Sequence, residues 1–335
     1  MDGLHHVVKM CEACELGTVL SMPEPIHGGL LHRMYAVHTT TGKYAIKMLN
    51  NDIISRPSAM QNFINSERIA TLVASRLPAL PAIQIHDSYI QHLDGHFFLV
   101  YDWLEGKNLH AKNITSEHSG KIGAILAEIH KTDFSMLGIP YERIDEEQGT
   151  DWDTYVQRGK ELDAAWVPLL EKYLQDLYDW SAIANKAAIL LAPEVVISHR
   201  DLDPKNVLWH EGEPVVIDWE SAGYINPMQD LLETAIYWAK PDEEAIDKGR
   251  FFSFIEAYKK RCGPQHADWN KVLGTGFSGK LGWLAYNLTR SLSHDHSDVQ
   301  EQRLGTEQVF QTIEELKQYA ESIPTLEEWL GEGEG

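Results

Sequence analysis

Between Val195 and Asp230 short apolar runs alternate with polar loops in an order that restricts the fold more than any other stretch of the chain. Val195-Val196-Ile197-Ser198 reads as a strand and runs into the polar loop His199-Arg200-Asp201-Leu202-Asp203-Pro204-Lys205-Asn206. A second short strand, Val207-Leu208-Trp209, is followed by a turn through Gly212. A third, Pro214 to Ile217, ends in the carboxylate of Asp218, with Trp219 and Glu220 behind it. Strand patterns bounded by turn residues in this way hold polar side chains at fixed offsets.

Those side chains are of the types that phosphoryl transfer from ATP requires. One carboxylate must orient the attacking hydroxyl and accept its proton, while an amide and a second carboxylate hold magnesium against the phosphates. Asp201 is placed to be the first. Asn206, five residues on across the loop, and Asp218, at the end of the next strand, are placed to hold the metal, and oxygen ligands are what magnesium prefers. Each alone reads equally as a turn or capping residue; the spacing of all three favours the chemical reading.

The rest of the chain divides by its hydrophobic period. Met34 to Thr40 and Tyr44 to Leu49 flank Thr41-Gly42 as a hairpin, and His96 to Tyr101 is a further strand. Between them Met60, Phe63, Ile64 and Val73 mark a helix over 59–75, which Pro78 ends. Beyond residue 103 the period becomes helical, with Ile122, Ile125, Leu126 and Ile129 on one face and further helical stretches near 154–190, 229–239, 242–261 and 306–322. The expectation is an α+β chain of two lobes, a small β-rich lobe over 1–102 and a larger helical lobe over 103–335.

The Val195–Asp230 segment resembles the catalytic and metal-binding loops shared by protein kinases and the aminoglycoside phosphotransferase/choline kinase family. Gly223, Pro227, Asp230 and Leu231 resemble the G-x-x-x-P-x-x-D-L continuation of the second. Protein kinases would show Asp-Phe-Gly where this chain has Asp218-Trp219-Glu220, then a closing Ala-Pro-Glu, and both are missing. The resemblance covers roughly residues 20–240 and implies a two-lobed protein-kinase-like fold that binds ATP (or GTP) and magnesium. It implies that Lys47, in Tyr-Ala-Ile-Lys, meets nucleotide phosphates and pairs with Glu67 on the following helix, and that Gly28-Gly29 lets backbone amides cover phosphates. Tyr101 to Leu104 becomes a hinge whose Asp102 and Leu104 backbones face the adenine, with Ile217 also lining the nucleotide site. His199 is read as a brace of the catalytic loop and Asp230 as a loop organiser.

Composition narrows the substrate. A formal net charge of -21 without basic clusters argues against nucleic acid or an anionic membrane as partner and would attract a cation. Asp203, Glu220 and Glu233, with the aromatics Trp152, Tyr237 and Trp238, favour a small cationic hydroxyl compound, most simply an antibiotic. Gly28 to Met34 and Leu281 to Asn287 resemble bacterial kinases that include amicoumacin-inactivating ones. A metabolic kinase of the choline, homoserine or sugar type, and a kinase-fold binding protein with little turnover, are the alternatives; oligomeric state is left open. Three cysteines, two of them as Cys11-x-x-Cys14 without a second pair, are read as structural. With an opening stretch unlike a signal peptide, they lead to the expectation of a cytoplasmic protein. His294, Asp295 and His296 are read as a polar loop and not a metal cluster.

Overall fold

A computed structural model describes residues 2–26, 31–141, 149–240, 245–265, 267–292 and 299–332. In chain order the elements are α1 (Asp2–Ala13), β1 (Glu24–Ile26), β2 (Arg33–His38), β3 (Lys43–Met48), α2 (Asn51–Ile54), α3 (Ala59–Ala74), β4 (Ile90–Leu93) and β5 (His96–Asp102). Next come α4 (Ser116–His130), α5 (Trp152–Glu161), α6 (Val167–Lys172), α7 (Leu174–Leu191), β6 (Val196–Ser198), β7 (Val207–His210), β8 (Glu213–Val216) and β9 (Gly223–Ile225). The chain closes with α8 (Pro227–Ala239), α9 (Lys248–Cys262), α10 (Trp269–Thr275), α11 (Ser278–Ser291) and α12 (Val299–Glu332). Two compact units result: Met1–Pro140, Ile197–Tyr224 and Thr234–Gly263 form one, and Tyr141–Val196, Ile225–Glu233 and Pro264–Gly335 the other.

The first unit is built on a five-stranded antiparallel sheet of order β1-β2-β3-β5-β4. Its hairpin turns where the sequence puts it: Thr39 N–H donates to Gly42 O at 2.8 Å, and Thr39 Oγ1 accepts the Thr41 N–H at 3.2 Å. Side chains alternate across the sheet. Tyr35, Val37, Ile46, Met48, Phe98 and Val100 face one way and pack against Val7, Met10 and Cys11 of α1. Leu99 and Tyr101 face the other way, with Phe63 of α3. Lys47, between Ile46 and Met48, is thereby turned to the α3 side. The strand period decides where this ammonium goes before any ion pair is considered.

α1 is a helix in the N-terminal segment, for which sequence reading names no element. It buries both cysteines, and burial, the largest influence, pushes the Cys11 thiol up to about 12. A thiol that hard to ionise is inert, in keeping with the structural reading.

α4 and α9 pack closely because Gly123 has no side chain. A Cβ there would fall inside the van der Waals shell of Phe254 O, a backbone atom that cannot rotate away. Gly123→Ala is expected to destabilise the protein by about 2 kcal/mol, the overpacking cost exceeding the gain in helix propensity. Urea unfolding curves check this; a neutral or stabilising result would show that the two helices separate freely.

In the second unit the stretch expected to be helical over 154–190 is broken into α5, α6 and α7. The chain takes a left-handed turn at Asp163 (φ 52°) and restarts with Pro168 in the first turn of α6. Trp152 and Trp166 are fully buried here, donating through Nε1 to Ser181 Oγ at 3.2 Å and Ser291 Oγ at 3.0 Å. α9 of the first unit starts later than the sequence pattern, at Lys248, because Asp247 caps it by accepting the Arg250 N–H at 2.7 Å. α12 is longer than expected and carries Pro324 inside it. Among the described residues no helix is long and apolar enough to cross a membrane.

Candidate active site

β6 delivers the chain into the loop that carries Asp201, and β8 ends one residue before Ile217 and two before Asp218. His199 ties the two together. Fully buried, it donates from Nε2 to Ile217 O at 3.0 Å and accepts the Asp201 N–H on Nδ1 at 3.3 Å. The Ile217 N–H in turn donates to Asn206 O at 2.9 Å. Below the loop Trp238 is also fully buried, and its Nε1–H donates to Leu202 O at 2.8 Å.

Asp201 and Asn206 are joined directly: the Asn206 amide donates to Asp201 O at 2.7 Å and to Asp201 Oδ2 at 2.9 Å. With both N–H bonds of the amide committed, Oδ1 is the atom Asn206 has left to offer a cation. Asp218 sits in the left-handed region (φ 60°, ψ 64°), and so does Arg200 (φ 66°), immediately before Asp201. Such conformations cost on the order of 1 kcal/mol each in a residue with a side chain and cluster at functional sites.

Lys47 is enclosed, its side chain 7% exposed. Its Nζ donates to Asp218 Oδ1 at 2.8 Å and to Glu220. Burial acts to strip its proton, but the two carboxylates outweigh it and raise its pKa, so the ammonium stays charged. Glu220 is likewise pushed up by burial, yet Lys47 and His32 bring it down to about 2. The pairing expected of Lys47 with Glu67 is replaced by these two bonds. Glu67 instead accepts the Ala82 N–H at 2.6 Å and the Tyr101 hydroxyl at 3.0 Å. The reason is supply: both Glu67 oxygens already have neutral donors, whereas Asp218 and Glu220 lie within reach of the ammonium.

Burial is the largest influence on Glu67 and raises its pKa from 4.5 to about 7, against the pull of Ala82, Tyr101 and Lys47. A carboxyl whose folded pKa lies above its unfolded one holds its proton more tightly when folded. Its contribution to stability is present below the unfolded value and is lost as pH rises through the folded one. Stability is therefore expected to drop by up to about 3 kcal/mol from this group between about pH 4.5 and pH 7. Glu67→Gln should flatten that slope in denaturant titrations; an unaltered slope would mean that Glu67 is ionised throughout.

The remaining sequence candidates fall as follows. Asp203 caps the turn beside the loop, accepting the Lys205 N–H on Oδ1 at 2.8 Å. Glu220 is taken up by Lys47 and His32, and Trp238 by the core, so neither offers a free surface to a substrate. Glu233 belongs to the second unit, where Gln229 Nε2 donates to it at 3.5 Å. Asp102 closes β5, Trp103 N–H donates to Lys43 O at 3.1 Å, and Leu104 lies just beyond the strand. Ile217 is half-buried. Gly28 and Gly29, and His294, Asp295 and His296, lie outside the described residues.

Two residues were missed. Lys205 holds its Nζ 3.4 Å from each Asp201 carboxylate oxygen, and its position four residues after Asp201 was the available signal. His32 reaches Glu220, and no local sequence pattern announces it. Burial raises the Asp201 pKa, more than Lys205 and His199 lower it.

The donor set fits a hard divalent cation shared with phosphates. Among the described residues no three His, Cys, Asp or Glu side chains gather to hold a metal by themselves. One carboxylate and one amide oxygen are the protein's portion when phosphate oxygens and water complete the shell.

Residues 23–263 match the sequence profile of the phosphotransferase enzyme family, APH. No curated protein sequence matches the chain. Among solved structures, spectinomycin phosphotransferase APH(9)-Ia, in complex with ADP and spectinomycin, is similar with a TM-score of 0.63 and 15% identity, over 92% of this chain and 98% of that one. The amicoumacin kinase hAmiN, in complex with AMP-PNP, Ca2+ and Ami, gives 0.58 and 13% over 94% of each chain. Choline kinase from Cryptosporidium parvum Iowa II gives 0.59 and 12% over 95% of this chain and 96% of that one. At such identities the likeness is one of fold, and it is the two-lobed protein-kinase-like α+β fold expected from the sequence.

Proposed function

Because this chain belongs to the phosphotransferase enzyme family, we propose that it is an ATP- and magnesium-dependent kinase that phosphorylates a hydroxyl of a small cationic molecule, an antibiotic in the first instance. The observation that carries the proposal is the meeting, within one compact unit, of Asp201, Asn206, Asp218 and the buried Lys47.

Asp201 orients the attacking hydroxyl and accepts its proton on a carboxylate oxygen. The new ester bond forms to the γ-phosphorus as the bond from that phosphorus to the bridging oxygen breaks, ADP leaving with the electron pair. Its raised pKa suits that task. Asn206 Oδ1 and the Asp218 carboxylate would hold magnesium, which supplies neutralisation of phosphate charge when bound. Lys47 places its ammonium on the nucleotide phosphates, with Glu67 in the same pocket. The Asp102 and Leu104 backbones and Ile217 receive the base, and residues 28 and 29 cover the phosphates. The nucleotide lobe is assigned to 1–102 and the catalytic and substrate-binding lobe to 103–335. Asp203, in the first unit, offers its second carboxylate oxygen to a substrate amine. The net charge of -21 supports a cationic substrate, the free thiols of Cys11 and Cys14 support a cytoplasmic setting, and the antibiotics named for two of the solved neighbours support the class.

The test is ADP release with ATP and magnesium across amicoumacin, aminoglycosides, spectinomycin, choline, homoserine, methylthioribose and neutral sugars. Release stimulated by one of the cationic antibiotics is the expected result. Stimulation by a neutral sugar alone would overturn the substrate class, and stimulation by none of them the antibiotic reading.

A further inference from the structure

Glu220 Oε2 has two partners, the Lys47 ammonium and His32 Nε2, the latter at 3.3 Å. The His32 side chain is 3% exposed, and its ring is set by the backbone, the Asn50 N–H donating to Nδ1 at 3.0 Å. A ring nitrogen that accepts a hydrogen bond carries no proton, so the imidazole proton is on Nε2 and is donated to Glu220. Phe63 packs edge-on against the ring, with centroids 5.7 Å apart. Asn50 lies just beyond the end of β3, the strand that carries Lys47. The contacts close on themselves: the chain after β3 holds His32, His32 holds Glu220, and Glu220 holds Lys47. From α3, Ser66 Oγ, which donates to Asn62 O at 2.7 Å, also lies 3.2 Å from the Glu220 carbonyl oxygen. Asp218, the other partner of Lys47, is the group assigned above to a cation, which leaves Glu220 as the carboxylate free of other duty.

We propose that Glu220 is the positioning carboxylate of Lys47 in this chain and that His32 is the latch that keeps it there. The proposal rests on the phosphotransferase reading and adds two residues that act through Lys47 rather than on the substrate. A lysine ammonium on its flexible stem has many orientations open to it. A carboxylate held by a buried imidazole selects one, and a nucleotide phosphate then meets a preset charge.

Four proteins test this: His32→Leu, His32→Gln, Lys47→Met, and His32→Leu combined with Lys47→Met, each first checked for a cooperative unfolding transition. His32→Leu should lower kcat by about 10- to 100-fold with little change in the KM of the phosphate acceptor. His32→Gln, whose Nε2 can still donate to Glu220, should recover most of the loss. In the Lys47→Met background the leucine should cost less than about threefold more, because nothing remains for the latch to hold. An equal loss in both backgrounds, or glutamine no better than leucine in folded protein, would show that His32 only fills space. The same cycle on ADP dissociation constants, read by calorimetry, decides the matter without turnover. A protein that binds ADP but transfers no phosphate sinks the kinase reading while the binding cycle still judges the latch. No ADP binding by the unsubstituted protein overturns both.

Discussion

Asp201→Ala is expected to lower turnover by about 10³-fold while leaving nucleotide affinity within about threefold of the unsubstituted protein. The separation follows from where Asp201 sits. Its carboxylate is joined to the Asn206 amide, but that amide also donates to the Asp201 backbone carbonyl at 2.7 Å. That bond survives the substitution. His199 still receives the residue-201 N–H and still donates to Ile217 O, so the loop stays braced. What disappears is the group proposed to accept the hydroxyl proton. Lys47, Glu220 and His32, assigned above to the nucleotide side of the site, are untouched. Asp201→Asn should behave alike, since it keeps the shape and loses the basicity. Steady-state rates beside calorimetric binding of ADP measure the two quantities; normal turnover in either variant would remove Asp201 from the mechanism.

Asp218→Asn is expected to cost about as much in rate, but with a different signature. Metal neutralisation of phosphate charge is worth several kcal/mol, which corresponds to about 10³-fold. Replacing a carboxylate ligand by an amide weakens the metal site without emptying it, so the magnesium concentration for half-maximal rate should rise at least about tenfold. Folding should change little, because Lys47 keeps Glu220 as its counter-charge. Leaving a buried ammonium wholly unpaired would have been severe. A magnesium titration of the variant with the midpoint unmoved would show that Asp218 serves Lys47 only.

Why some of this was legible from the amino acids alone, and some not, has a physical pattern. Asp201, Asn206 and Asp218 lie within eighteen residues of sequence, on loops whose flanking strands are short and strongly apolar, so local order already constrains their geometry. Lys47 was legible through the resemblance carried by Tyr-Ala-Ile-Lys in the second hairpin strand, and the strand period, with Ile46 and Met48 on the opposite face, accounts for where its side chain goes. Its partner was not. The contacts of Glu220 with Lys47 and His32 depend on how the loop after β8 approaches β3, which no local spacing records. Trp152 and Trp238 invited a binding role by their chemistry, and burial with satisfied Nε1 groups gives them to the core. The single run 154–190 was divided by a left-handed Asp163, a feature of backbone geometry that hydrophobic period cannot report. α1 was passed over because its apolar positions serve the sheet and look like noise without it.

The most direct measurement of the central claim is phosphorus NMR of the protein with ATP, magnesium and the hydroxyl compound that most stimulates ADP release. The account predicts ADP and a phosphate monoester of that compound appearing in equal amounts, and both appearing about 10³-fold more slowly with Asp201→Ala. ATP that persists unchanged, or ADP accompanied only by inorganic phosphate, would contradict it.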